Sequence, residues 1–231
     1  MITMLSIDDI HVSFGKREIL SGITLELEPG AIIALSGKSG SGKTTLFGVM
    51  SGLLKPKRGR VLYGGKNIYR WTDLRRSRYR NREIGYVFQT FNLLPNLTAR
   101  DNIILPAVLN RHVKNLKGHV DYLVDYLDLG AIIGQFPATL SGGEKQRIAI
   151  ARALVNSPGI ILADEPTGNL DDENGGRIFS LFREICAERK ICVLIATHDA
   201  GILADADAHF HLAGGRLEKI FSGKKSGKVK R

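Results

Sequence analysis

Residues Gly37–Thr44 read GKSGSGKT, and no other stretch restricts the possible folds of this chain as strongly. Glycines at 37, 40 and 42 allow the backbone to turn tightly and to aim successive N–H groups at one anion. Such a loop works between a strand that delivers it and a helix whose first turn points free N–H groups at the same charge. The flanks supply both. Ala31–Ser36 is a short apolar run with strand character, and Thr44–Leu54 reads as a helix stopped near Lys55-Pro56. The centre of the chain is therefore α/β. The candidate phosphate contacts are Gly37, Lys38, Ser39, Gly40, Ser41, Gly42, Lys43, Thr44 and the following Thr45. In this pattern Lys43 neutralises the β- and γ-phosphates of a nucleotide and the Thr44 hydroxyl reaches Mg²⁺.

Two further strings follow the loop in order. LSGGEKQR occupies Leu140–Arg147 and IILADE occupies Ile160–Glu165. In the first, Ser141 offers a hydroxyl, Gly142 and Gly143 permit close backbone approach, and the start of a helix supplies free N–H groups. That makes a second anion site. The same residues also fit a capping box, with Ser141 and Glu144 exchanging hydrogen bonds. In the second string four apolar residues bury a strand, and Asp164 and Glu165 emerge at its carboxyl end.

The 231 residues suit one large domain or a domain with an inserted subdomain, and the 43% hydrophobic content is that of a globular chain with a substantial core. No apolar run approaches the roughly 20 residues that cross a bilayer. The opening MITMLSIDDI lacks a basic flank and a long apolar region, so no signal peptide is expected and any membrane span is expected from another chain. Cys186 and Cys192 match no zinc or redox spacing and read as buried, reduced thiols of a cytosolic protein. His209 and His211 would share a strand face, but no further ligands accompany them. The net charge is +10, and Lys55–Arg82 carries eleven Lys or Arg against the single acid Asp73. Residues 223–231 form a second basic cluster, expected to be a disordered tail. This balance favours nucleotide, anionic lipid headgroups or nucleic acid as partners, or else is a solvated basic surface.

The first thirty-six residues alternate apolar and polar, as in Leu5-Ser6-Ile7 and Ile23-Thr24-Leu25-Glu26-Leu27, and read as strands with turns at Phe14–Lys16 and Pro29-Gly30. Arg60–Tyr63 and Ile84–Phe88 read as further strands. From Leu97 to about Ala138 the apolar period becomes helical, as in Val120, Leu123, Val124, Leu127 and Leu129. After Leu140 the order is helix Gly143–Val155, strand Gly159–Ala163, helix Asp172–Glu188, strand Ile191–Ala196, then a hairpin of Ala208–Leu212 and Arg216–Phe221 about Gly214-Gly215. One domain is expected over 1–222, with a helical subdomain at about 97–156. There are no internal repeats.

The ordered set GKSGSGKT, LSGGEKQR and IILADE resembles the ATP-binding subunits of ABC transporters from about Leu5 to Leu217. The resemblance implies a P-loop NTPase core with an antiparallel β edge subdomain and an inserted helical subdomain. It implies ATP and Mg²⁺ as ligands and a homodimer in which Ser141, Gly142 and Gly143 of one copy close over the γ-phosphate held by the other. Asp164 would hold Mg²⁺ through water, and Glu165 would polarise the attacking water. Gln89 matches the glutamine that reaches Mg²⁺ or the attacking water. His198, in Ala196-Thr197-His198-Asp199, matches the histidine that bonds the γ-phosphate and orients Glu165. Asp171 matches a loop residue that crosses the dimer. Phe14 stands where an aromatic stacks on adenine, with core packing as the other reading. The catalytic set implied is Lys43, Gln89, Glu165 and His198, and the metal set is Thr44, Gln89 and Asp164.

FNLLPNLTARDNI (Phe91–Ile103) and ADEPTGNLD (Ala163–Asp171) resemble the lipoprotein-release, macrolide-export and cell-division group of that family. Phe91, Leu93 and Leu94 would then lie where an integral-membrane subunit docks, holding the chain at the inner face of the cell membrane. Glu144 and Lys145 stand where many members have glutamines. A cell-division role through a membrane partner shares every motif. A nucleic-acid role is disfavoured because the chain lacks the long coiled-coil or zinc insertions and the second ATPase unit of such relatives.

Overall fold

A computed structural model describes residues 4–110 and 115–222. Its strands are β1 (Leu5–Phe14), β2 (Arg17–Leu27), β3 (Ile32–Ser36), β4 (Arg58–Tyr63), β5 (Lys66–Asn67), β6 (Ile84–Val87), β7 (Ile160–Asp164), β8 (Cys192–Ala196), β9 (Ala208–Ala213) and β10 (Arg216–Ser222). Its helices are α1 (Lys43–Met50), α2 (Asp73–Glu83), α3 (Ala99–Asn110), α4 (Leu116–Tyr126), α5 (Gly142–Leu154), α6 (Asp172–Arg189) and α7 (Ala200–Asp205).

Six strands form the central sheet in the order β10-β9-β3-β8-β7-β6. Its strands are parallel except for β10, which pairs antiparallel with β9. The inner strands are buried on both faces, which is why they read as continuous apolar runs. Ile32, Ala34, Ile161, Ala163, Val193 and Ile195 point into one core with the helices around α5 and α6. Their neighbours Ile33, Leu35, Ile160, Leu162, Leu194 and Ala196 point into a second core with α1 and a separate sheet. That sheet is antiparallel, ordered β2-β1-β4-β5, and forms the expected β edge.

The helical lobe consists of α3, α4 and α5, joined through short 3₁₀ turns at Gly130–Ile132 and Pro137–Thr139. Val120, Leu123, Val124, Leu127 and Leu129 are all buried, as their period predicts. One expectation needs correction. Helix α1 ends at Met50 rather than Leu54, because Ser51 caps it and Gly52 turns into the left-handed region at φ 74°. The arginine-dense Asp73–Glu83 is a helix, capped by the Thr72 side chain accepting from the Arg75 N–H. Cys186 and Cys192 are buried, free thiols; burial pushes the Cys186 thiol up to about 12. The basic segment 223–231 lies outside the described residues. Among the described residues no helix is long and apolar enough to cross a membrane.

Candidate functional site

Strand β3 delivers the chain to Gly37, whose φ is 151°. A Cβ there would stand 2.5 Å from the Leu212 carbonyl oxygen and 2.7 Å from Ser41 Oγ, so only glycine fits between β9 and the loop. Gly42, at φ 110°, precedes α1 without any side-chain cap, and the first turn of α1 carries no acid. The helix therefore keeps its N-terminal donors and positive end free for an anion.

Lys43, only 8% exposed, lies at the bottom of this cradle. Its Nζ donates to the Gly37 carbonyl at 2.6 Å and lies 3.7 Å from Glu165 Oε1 and 3.5 Å from His198 Nε2. His198 Nε2 is in turn 3.2 Å from Glu165 Oε1. Lys43 thus meets two residues more than a hundred positions further along the chain, brought together by α1 and by the carboxyl ends of the adjacent strands β7 and β8. Glu165 holds a left-handed backbone at φ 48°, while its N–H donates to the Ala196 carbonyl at 2.8 Å. A non-glycine residue in that region is a local strain held by its surroundings. No sequence signal marked it.

The cavity above these groups encloses about 820 Å³. Its walls include Phe14, Ser39–Thr45, Gln89, Asp164, Glu165 and His198. Phe14 is 55% exposed at the end of β1, so the core reading of its ring fails and its face is available to the cavity. Thr44 Oγ1 donates to Asp164 Oδ2 at 2.8 Å. A hydroxyl and a carboxylate side by side are hard oxygen donors that suit Mg²⁺, which takes few protein ligands when phosphate supplies the others. Among the described residues no group of three or more His, Cys, Asp or Glu is arranged to hold a metal ion. Gln89 is exposed beside the Glu165–Gly168 turn, its amide nitrogen 3.1 Å from where a Gly168 Cβ would stand, and its carbonyl accepts from Asn169 Nδ2 at 2.7 Å.

Ser141, Gly142, Gly143 and Asp171 are not part of that cavity's lining. Ser141 caps α5 in a full capping box: the Glu144 carboxylate accepts from the Ser141 N–H and hydroxyl at 2.7 and 2.8 Å. These bonds hold the Glu144 carboxyl below its usual value. The capping-box reading of Ser141 is therefore the one the structure displays. Gly142 faces Leu170 and Asn169, and Gly143 faces Asn174, so the α5 start packs against the loop carrying Asp171. Asp171 caps α6, accepting from the Asn174 N–H at 2.8 Å, and this bond lowers its pKa.

Of the three apolar residues after Gln89, Leu93 packs against the helical core, Phe91 is half-buried and Leu94 is 46% exposed. Two residues organise this segment without any sequence signal. Arg152 of α5 donates to the Phe91 and Asn92 carbonyls, and Asn102 of α3, fully buried, bonds the Leu94 N–H and carbonyl.

The family model described as "ABC transporter" matches residues 20–168. The "Lipoprotein-releasing system ATP-binding protein LolD" of Leptospira interrogans is 37% identical over 94% of this chain and 91% of its own length. The protein of the same name from Shewanella oneidensis is 38% identical over 87% and 88%. The "Macrolide export ATP-binding/permease protein MacB" of Rhodopirellula baltica is 42% identical over 86% of this chain, which corresponds to 30% of that longer protein. Among solved structures, a dimeric bacterial ABC transporter cassette superposes with a TM-score of 0.85 at 31% identity, covering 95% of this chain and 100% of that one. A post-hydrolysis dimer bound to ADP and Pi superposes at 0.84 with the same coverage.

Proposed function

The chain belongs to the ABC transporter ATP-binding family, and from that premise we propose how its residues hydrolyse ATP and what the work serves. It is an ATPase that drives a membrane partner. The observation that carries the proposal is the meeting of Lys43, Glu165 and His198 within 3.7 Å beneath an open cavity. ATP lies with its adenine against the Phe14 ring and its phosphates over Gly37–Thr45. Lys43 leaves the Gly37 carbonyl for the β- and γ-phosphates, where its charge and the N–H groups of α1 stabilise the negative charge that develops. Glu165 orients the attacking water and accepts its proton, and His198 holds Glu165 in line from its 3.2 Å contact. Thr44, Asp164 and Gln89 would hold Mg²⁺, which when bound neutralises phosphate oxygens.

The Ser141 hydroxyl and the α5 N-terminus stand apart from the copy's own cavity, so their anion site serves the nucleotide of a second copy. Asp171, packed beside them, crosses that interface. The names of the relatives point to lipoprotein release or to export as the use of the work. The membrane partner docks over the segment after Gln89, with Leu94 and the edge of Phe91 as its contacts. Leu93 supports them from the core side.

The test is Glu165→Gln. It retains ATP affinity, loses turnover by roughly a hundredfold or more, and accumulates an ATP-bound dimer in gel filtration, while Lys43→Ala loses nucleotide affinity in calorimetry. Near-normal turnover of Glu165→Gln would overturn the assignment.

A further inference from the structure

Helix α2 turns one side inward. Arg76 donates to the Trp71 carbonyl at 2.8 Å, Tyr79 Oη donates to the Met50 carbonyl at 3.0 Å, and Arg80 donates to the Gly52 carbonyl at 3.2 Å. These positions, spaced i, i+3 and i+4, fix the helix on the turn after α1. The side left outward carries Leu74, Arg75 and Arg78, all exposed. Arg75 lies over the Trp71 ring, its Cζ 4.4 Å from the centroid. Arg70, just before Trp71, is exposed as well. Two leucines emerge from this basic ground: Leu74 is 62% exposed and Leu53, in the turn beneath the helix, is 68% exposed. The nearby acids Asp73 and Glu83 are outnumbered by Arg70, Arg75, Arg76, Arg78, Arg80 and Arg82. Asp73 is paired with Arg76, and Glu83 accepts from the Tyr63 hydroxyl.

A face that needs only solubility has no use for two protruding leucines among its arginines; the half-buried Trp71 ring, packed against the core and edge-on to Tyr79, lies at the margin of this face. We propose that this face of α2, with Trp71 and Leu53, binds the surface of an anionic membrane directly. Guanidinium groups fork onto phosphodiester oxygens, the amphipathic indole sits at headgroup depth, and Leu53 and Leu74 enter the acyl boundary. Charge complementarity selects anionic over neutral lipid. The same helix flanks the cleft of about 320 Å³ that holds Ser77, Arg80, Phe88 and Arg152. The lipid contact is a property of this chain alone and needs no membrane subunit.

Trp71 is the single tryptophan of the chain, so it reports on its own site. The full-length protein is titrated with vesicles of phosphatidylcholine containing about 30% phosphatidylglycerol and with pure phosphatidylcholine. The expected result is a blue shift of Trp71 emission and co-sedimentation with the anionic vesicles only, both weakened by salt. Substituting Arg70→Gln, Arg75→Gln and Arg78→Gln together lowers partitioning roughly a hundredfold. Leu74→Glu, a change at an exposed position in the first turn of α2 that leaves folding and ATP hydrolysis intact, lowers it as well. Co-sedimentation without a Trp71 shift would assign binding to residues 223–231 and overturn the proposal. Equal binding to neutral vesicles, unchanged binding by both variants, or tighter binding to duplex DNA than to vesicles with loss in the triple variant would overturn it too.

Discussion

Arg152, on the helix that begins at Ser141, holds the backbone of Phe91 in place: its guanidinium donates to the Phe91 carbonyl at 2.6 Å and to the Asn92 carbonyl at 2.5 Å. Phe91 and Asn92 both sit in the left-handed region, at φ 60° and 48°, so this bend is held from outside rather than preferred by its own residues. The segment after Gln89 and the helix capped by Ser141 are thus joined by one side chain.

Removing that side chain should uncouple the two. Arg152→Ala is expected to raise amide exchange over Thr90–Leu94 by at least about tenfold and to cost about 1–3 kcal/mol of stability in urea denaturation. Nucleotide affinity of the isolated chain stays within a few-fold, because Arg152 does not line the nucleotide cavity. Arg152→Lys recovers only part of the exchange protection, since an ammonium cannot fork to two carbonyls. Unchanged exchange in Arg152→Ala would show that the bend holds itself.

Asn102 does comparable work from inside the helical lobe. It is fully buried, accepts from the Leu94 N–H at 2.7 Å, and places its amide nitrogen 3.0–3.1 Å from the carbonyls of Leu94, Leu97 and Thr98. Asn102→Asp keeps the volume but turns a carboxylate toward three carbonyl oxygens. It should cost about 3 kcal/mol or more, and Asn102→Ala about 2–4 kcal/mol, read from urea midpoints. A loss below about 0.5 kcal/mol for the aspartate would contradict the network.

What could be read in the sequence was contiguous. Gly37–Thr44, Leu140–Arg147 and Ile160–Glu165 each carry their chemistry within a few residues, and the doubly buried strands β3, β7 and β8 announce themselves as apolar runs. What could not be read depends on distant backbone. Arg152 and Asn102 bond carbonyl groups, which leave no trace in residue type. Helix α2 escaped because Leu74 and Tyr79 give arginine-rich Asp73–Glu83 too little apolar period, and its inward contacts are made by Arg76 and Arg80 instead. The exposure of Phe14 could not be read either, because strand alternation does not fix it at a strand's last residue.

Whether Ser141 serves its own nucleotide or a second copy's can be decided by mixing two inactive variants. Lys43→Ala destroys the phosphate cradle, and Ser141→Arg blocks the second anion site. In a symmetric dimer with shared sites, a mixed pair combines both lesions in one site and leaves the other intact. Random pairing at equal concentrations should therefore restore about a quarter of the sites. If each copy completed its own site, the mixture would stay inactive at every ratio. The recovered ATPase rate, measured against mixing ratio, separates the two.

The last expectation concerns acid. Ser36, one residue before Gly37, places its Oγ 2.7 Å from His209 Nε2 and 2.8 Å from His211 Nδ1. One hydroxyl can donate to one ring and accept from the other. Burial holds His209 below its ordinary 6.5, and the neighbouring His211 adds to the effect. The unfolded chain then binds more protons than the folded one as pH falls below 6.5, so stability rises with pH through that window and drops on acidification. Burial lowers His119 in the same direction, whereas Glu18 and Asp9 raise His11, which acts oppositely. The melting temperature should therefore be followed in wild type and in His209→Gln between about pH 5 and 8. The variant should lose part of the acid-side slope while matching wild type in shape above pH 7, where the imidazole of either state is mostly neutral. Parallel curves across the whole range would show that the Ser36 cluster does not resist protonation.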